Sequence, residues 1–146
     1  EQARTWLQGV TAADLENDNP VFGYYATRQS AVKDFSGMGT AEYTDDIDWN
    51  NDRSEAPAKV RSFPKDAYGN TISYVIHRMC DGTGTPGTTG NPCESYTPKG
   101  SSTSSTRGPA YGSGALSGQR AYLYRITVRV IGPRNTRSIV QSVIIL

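Results

Sequence analysis

Histidine and cysteine are scarce in this chain, with one His and two Cys among 146 residues. A zinc site needs more ligands than His77, Cys80 and Cys93 together supply, so that class of site is set aside. No charge of one sign dominates: 15 Lys and Arg face 14 Asp and Glu, a net of +1. The chain therefore carries no strong overall field for nucleic acid or an anionic membrane. There is no apolar run of ~18 residues to span a bilayer, and no signal-peptide pattern. Neither G-x-S-x-G nor H-E-x-x-H occurs, so His77 has no recognisable nucleophile or metal partner. We expect no enzyme and no cofactor, with His77 a structural residue at the surface or half-buried. The first residue is Glu rather than Met, and the chain reads as a processed chain or a fragment.

What is present fits one domain by length, with a hydrophobic fraction of 36% and 15 Gly, which implies a modest core and long surface loops. The two cysteines enclose twelve residues rich in Gly, Thr and Pro, from Asp81 to Pro92. Such a loop has little to hold it except a cross-link. Closing a loop of ~15 residues stabilises by about 3 kcal/mol on the chain-entropy argument. We read a Cys80–Cys93 disulfide and an oxidising compartment; two free thiols in a cytosolic protein are the alternative.

The clearest pattern is Ala121 to Leu146. From Tyr122 to Val130 the even positions are Tyr, Tyr, Ile, Val and Val, and the odd ones include Arg125, Thr127 and Arg129. A period of two predicts a half-buried strand. Gly132-Pro133-Arg134-Asn135 is turn chemistry, and Ile139 to Leu146 predicts a second strand, apolar on both faces at its end. The expected result is an antiparallel hairpin that ends inside a core, with the Arg125/Arg129 face in solvent.

Residues 1–18 predict a helix, with Ala3, Trp6, Leu7, Val10 and Ala13 on one stripe and Asn19-Pro20 as its stop. No N-cap is visible, so the helix reads as continuing upstream. Residues 21–56 carry Phe22, Tyr24, Tyr25, Phe35, Tyr43 and Trp49, and predict an ordered connection over one edge of the domain, with a short helix possible over residues 26–35. Lys59 to Phe63 and Thr71 to Cys80 predict strands. Pro64 to Asn70 predicts a turn with Gly69 and Asn70 at positive φ. Asp81 to Arg120 shows little periodicity, a loop long enough to suggest an interaction surface. The predicted fold is α+β, with a helix packed on an antiparallel sheet of about four strands within a single domain, residues 1–146. Trp6 and Val10 are expected to pack on Tyr122, Tyr124 and Ile126.

Two further clusters bear on binding chemistry. Asp46-x-Asp48-x-Asn50 matches the first three ligand positions of an EF-hand, but Asn51 stands where Gly is required and Pro57 where Glu is. A solvated acidic loop is the expected reading. Arg120, Arg125, Arg129, Arg134 and Arg137 give a basic strip, yet no paired aromatics share that face to stack bases, so nucleic acid is not expected as a partner.

Several of these stretches resemble a known family. Tyr74 to Cys80 (YVIHRMC), Cys93 after a Gly-rich loop, Tyr124 to Asn135 (YRITVRVIGPRN) and Val140 to Val143 (VQSV) resemble the C-terminal domain of the PilX family, minor pilins of bacterial type IV pili. The likeness runs through most of residues 70–146. It implies a pilin fold in which residues 1–18 are the C-terminal half of a long helix, whose missing upstream part sits in the inner membrane. It further implies a periplasmic subunit that primes pilus assembly with other minor pilins and a tip adhesin, and sits at the pilus tip. A secretion-system pseudopilin, or a periplasmic ligand- or DNA-binding module, is the alternative.

Overall fold

The computed structural model describes residues 1–28, 47–51, 58–97 and 120–146. Helix α1 runs Gln2–Gly9 and buries Ala3 and Leu7, spaced four apart on one face. Glu1 at its start makes no side-chain cap hydrogen bond. The helix is shorter than the predicted residues 1–18, and the reason is local. Val10 is extended, at φ −91° and ψ 158°. Beyond it, Thr11 and Asp14 form a reciprocal cap. The Thr11 amide donates to Asp14 Oδ2 (3.0 Å), and the Asp14 amide donates to Thr11 Oγ1 (3.3 Å). This pair starts a new turn, the 3-10 helix Ala13–Leu15, and so competes with continuation of α1.

Pro20 opens a second 3-10 turn, Pro20–Phe22, closed by Gly23 at φ +63°. A Cβ at Gly23 would lie 2.9 Å from the Tyr74 carbonyl oxygen, so glycine lets this turn press against the sheet. Residues 26–28 are not helical; the rest of the helix considered from 26 to 35 lies outside the described residues. So do Gly37 to Gly39, Asp45, Asp46, Asp52 and the Gly100 to Thr106 run.

The strands are β1 Tyr24–Tyr25, β2 Ile47–Asp48, β3 Ala58–Lys59, β4 Arg61–Ser62, β5 Thr71–Arg78, β6 Ser95–Tyr96, β7 Ala121–Ile131 and β8 Arg137–Ile145. β5, β7 and β8 form the antiparallel body, with Ile76 opposite Ile126 and Ser142 opposite Ile126 on its other side. β4 and β1 share the free side of β5, and β6 pairs with the start of β7. The sheet is therefore mixed: β1 runs parallel to β5, and β2 and β3 form a separate parallel pair. Where about four strands were predicted, three long ones are joined by short ones of two residues each, too brief to leave a period in the sequence.

Both turns follow from their residues. Asp66 Oδ1 accepts from the amides of Tyr68 and Asn70, and Gly69 takes φ +81°. Asn70 does not adopt positive φ, because its amide and side chain are held by Asp66. In the β7–β8 turn it is Asn135 that takes the left-handed conformation, at φ +58°.

Two apolar clusters lie on opposite faces of β5. On the helix side Ala3, Leu7, Leu15, Tyr24, Tyr74, Ile76, Tyr124 and Ile126 are buried together. On the other side Tyr25, Ala58, Val60 and Val75 pack with Ile47 and Trp49. The expectation that β8 ends in a core is corrected: Ile139, Val140, Val143, Ile145 and Leu146 are exposed.

Candidate functional site

The helix-to-sheet contact is aromatic. Trp6 stacks on Phe22 with ring centroids 5.1 Å apart and lies 5.4 Å from Tyr24. Tyr124 and Ile126 are members of the buried cluster, and Trp6, Val10 and Tyr122 are partly buried against it. The Tyr24 hydroxyl donates to the Leu15 carbonyl (2.7 Å); burial pushes the Tyr24 phenol well above its ordinary range and raises that of Tyr124.

At one end of the sheet the Cys80–Cys93 disulfide is formed, and it closes residues 81–92. The loop has its own internal scaffold. Asn91 is buried; its Oδ1 accepts from the Gly82 amide (2.9 Å) and its Nδ2 donates to the Thr83 carbonyl (3.0 Å). Gly87 has φ +74°, and a Cβ there would lie 2.5 Å from the Tyr122 hydroxyl. That hydroxyl donates to the Pro86 carbonyl (3.0 Å), which ties the loop to β7. Thr85 Oγ1 donates to Glu16 Oε1 (2.8 Å), which ties it to the N-terminal segment.

Arg78 joins these parts, and sequence reasoning missed it. It is 0% exposed. Its guanidinium donates to four backbone carbonyls: Ala26 (3.0 Å), Leu15 (2.8 Å), Gly82 (3.2 Å) and Gly84 (2.8 Å). A buried charge needs this density of hydrogen bonds. The signal was present: Arg78 continues the Ile72, Tyr74, Ile76 alternation onto the apolar face of β5.

The opposite face is not the solvated one expected from the Arg125/Arg129 spacing. The segments flanking β1 and β2 cover it. Arg129 donates to the Trp49 carbonyl (2.7 Å) and its guanidinium lies 5.0 Å from the Trp49 ring. Arg125 donates to the Arg28 carbonyl (3.0 Å) and approaches His77 Nδ1 at 3.5 Å. Arg28 pairs with Asp81 (2.8 Å) and Glu94 (3.4 Å). His77 is 0% exposed rather than surface or half-buried. Burial first, and the Arg125 charge second, push its pKa down to about 3, so it is neutral at ordinary pH.

Asn51, in the acidic stretch, clamps the main chain of Val60: its Nδ2 donates to the carbonyl (3.1 Å) and its Oδ1 accepts from the amide (3.0 Å). Among the described residues no group of three His, Cys, Asp or Glu side chains is arranged to hold a metal ion. No helix of the described residues is long and apolar enough to cross a membrane. No family profile, curated protein or solved structure matches this chain.

The conspicuous surfaces of the described residues are the cross-linked loop at one end of the sheet and the exposed outer strand β8.

Proposed function

We propose that this chain is the soluble domain of a minor pilin, a structural subunit that primes assembly of a type IV pilus and resides at its tip. The observation that carries the reading is α1 seated by Ala3, Leu7 and Trp6 on the Tyr124/Ile126 face of a mixed sheet with an antiparallel body, which ends in a disulfide-bound loop. The motif likeness across residues 70–146 supports the same reading. The subunit acts through protein–protein contacts with other minor pilins and a tip adhesin. In this reading a hydrophobic helix upstream of α1 anchors it in the inner membrane before assembly, and the disulfide forms in the periplasm. It performs no catalysis.

Deletion of the gene in the bacterium that encodes it tests the reading. Surface pili counted by electron microscopy should fall severely and return on complementation. Unchanged piliation contradicts the proposal. Normal pili with lost protein secretion assigns the chain to a secretion-system pseudopilus instead.

A further inference from the structure

Five of the nine large apolar residues exposed in the described structure lie in the final strand and its end: Ile139 (60%), Val140 (61%), Val143 (55%), Ile145 (50%) and Leu146 (40%). β8 is an edge: among the described residues its sole strand partner is β7. Tyr122 and Leu146 exchange both backbone hydrogen bonds (2.7 and 3.0 Å). In an antiparallel ladder that pairing recurs every second residue, so even residues of β8 bond to β7. The amides and carbonyls of Ile139, Gln141, Val143 and Ile145 therefore point outward. Among the described residues the strand has little of the usual protection of an edge beyond Arg137 at its start. It contains no Lys and no Pro, and its nine residues pair one-to-one with β7 without a bulge.

Charge says what fits there. Residues 121–146 contain Arg125, Arg129, Arg134 and Arg137 and no Asp or Glu. Arg134 and Arg137 are exposed at the turn end of β8 and pair with no carboxylate among the described residues. A second copy of β8 laid alongside in parallel would set its own Arg134 and Arg137 against this pair with no acid to offset them, so like charge disfavours that self-pairing.

We propose that the outer edge of β8 accepts an extended acidic–aliphatic segment of a partner protein, added as a further strand of the sheet. Main-chain hydrogen bonds from Ile139 to Ile145 supply the docking, and aliphatic side chains of the segment cover Ile139, Val140 and Val143. The added strand lies ~4.8 Å from β8, so an Asp or Glu opposite Arg137 meets its guanidinium directly. The inference rests on the hairpin alone and not on the pilus reading.

The test uses the full chain and blocked, fluorescein-labelled peptides that match the nine residues of β8, alternating Val and Thr, with either Asp or Lys at both ends. Anisotropy should show saturable binding of the Asp-ended peptide. Arg137→Glu should weaken that binding by about tenfold and favour the Lys-ended peptide. Val143→Pro removes an outward amide that β7 does not use, so it should abolish binding while the circular dichroism spectrum is kept. Val143→Lys serves the same purpose should the proline variant fail to fold. Absence of saturable binding up to millimolar peptide, or equal binding to both Val143 variants, overturns the proposal. So does a concentration-dependent dimer of the chain alone that Val143→Lys abolishes, since the occupant would then be a second copy.

Discussion

Arg78 holds a full charge at a position with no exposure, and backbone carbonyls from three separate segments take the place of a carboxylate. Arg78→Met keeps much of the volume, removes four hydrogen bonds and leaves the Ala26 and Gly82 carbonyls without a donor. It should cost about 3 kcal/mol or more, read as a lower urea midpoint. A change below about 0.5 kcal/mol would show that water satisfies those carbonyls. His77 gives a pH signature. Its folded pKa, about 3, lies below the ordinary 6.5, so between those values the unfolded chain binds a proton that the folded chain refuses. Its contribution is full above pH 6.5 and falls as the pH drops toward 3. Asp14 and Asp66, held below the ordinary 3.8 chiefly by hydrogen bonds from the Thr11 and Asn70 side chains, add to the loss only at lower pH. Since His77 is the one histidine, His77→Gln should flatten stability between pH 6.5 and about 4. An unchanged slope would remove the burial account.

At the scale of elements, the disulfide loop and α1 are separable. Reduction releases a loop with sequence separation 13, worth about 3 kcal/mol, and should lower Tm by about 10 °C. No shift on reduction would mean that Asn91, Tyr122 and Arg78 hold the loop unaided. Trp6→Ala removes the stack on Phe22 and the contact with Tyr24, and should cost about 3 kcal/mol by urea titration. A negligible cost would show that Ala3 and Leu7 seat the helix without it. The sequence made some of these elements legible and hid others. Period-two alternation located β5 and β7, because the large apolar side chains of their helix-side face alternate with mostly smaller or polar ones. The composition of residues 81–92 pointed to the cross-link. The early end of α1 was encoded in Thr11 and Asp14, but an apolar stripe running on to Ala13 masked it. The burial of His77 and the partial covering of Arg125 and Arg129 were not legible, since Tyr25, Arg28 and Trp49 come from distant segments to cover them. For β8 the reading failed in the opposite direction. Apolar residues on both faces usually mean a core, and here, among the described residues, they mark an open edge.

Among the described residues the sheet is covered along β5 and left open along β8. One face carries α1, and the other carries the Tyr25/Val60/Trp49 cluster. That asymmetry suits a subunit that is completed by neighbours, which is the centre of the assembly proposal. The most direct measurement is the sequence encoded immediately upstream of Glu1 in the gene. The account expects a short basic leader, a Gly at its cleavage point, and ~20 apolar residues running in frame into Glu1-Gln2-Ala3, enough for a helix to span the membrane. A cleavable secretory signal or an ordinary soluble domain at that position would contradict it, leaving α1 as a surface-packed helix and a periplasmic binding module as the better reading.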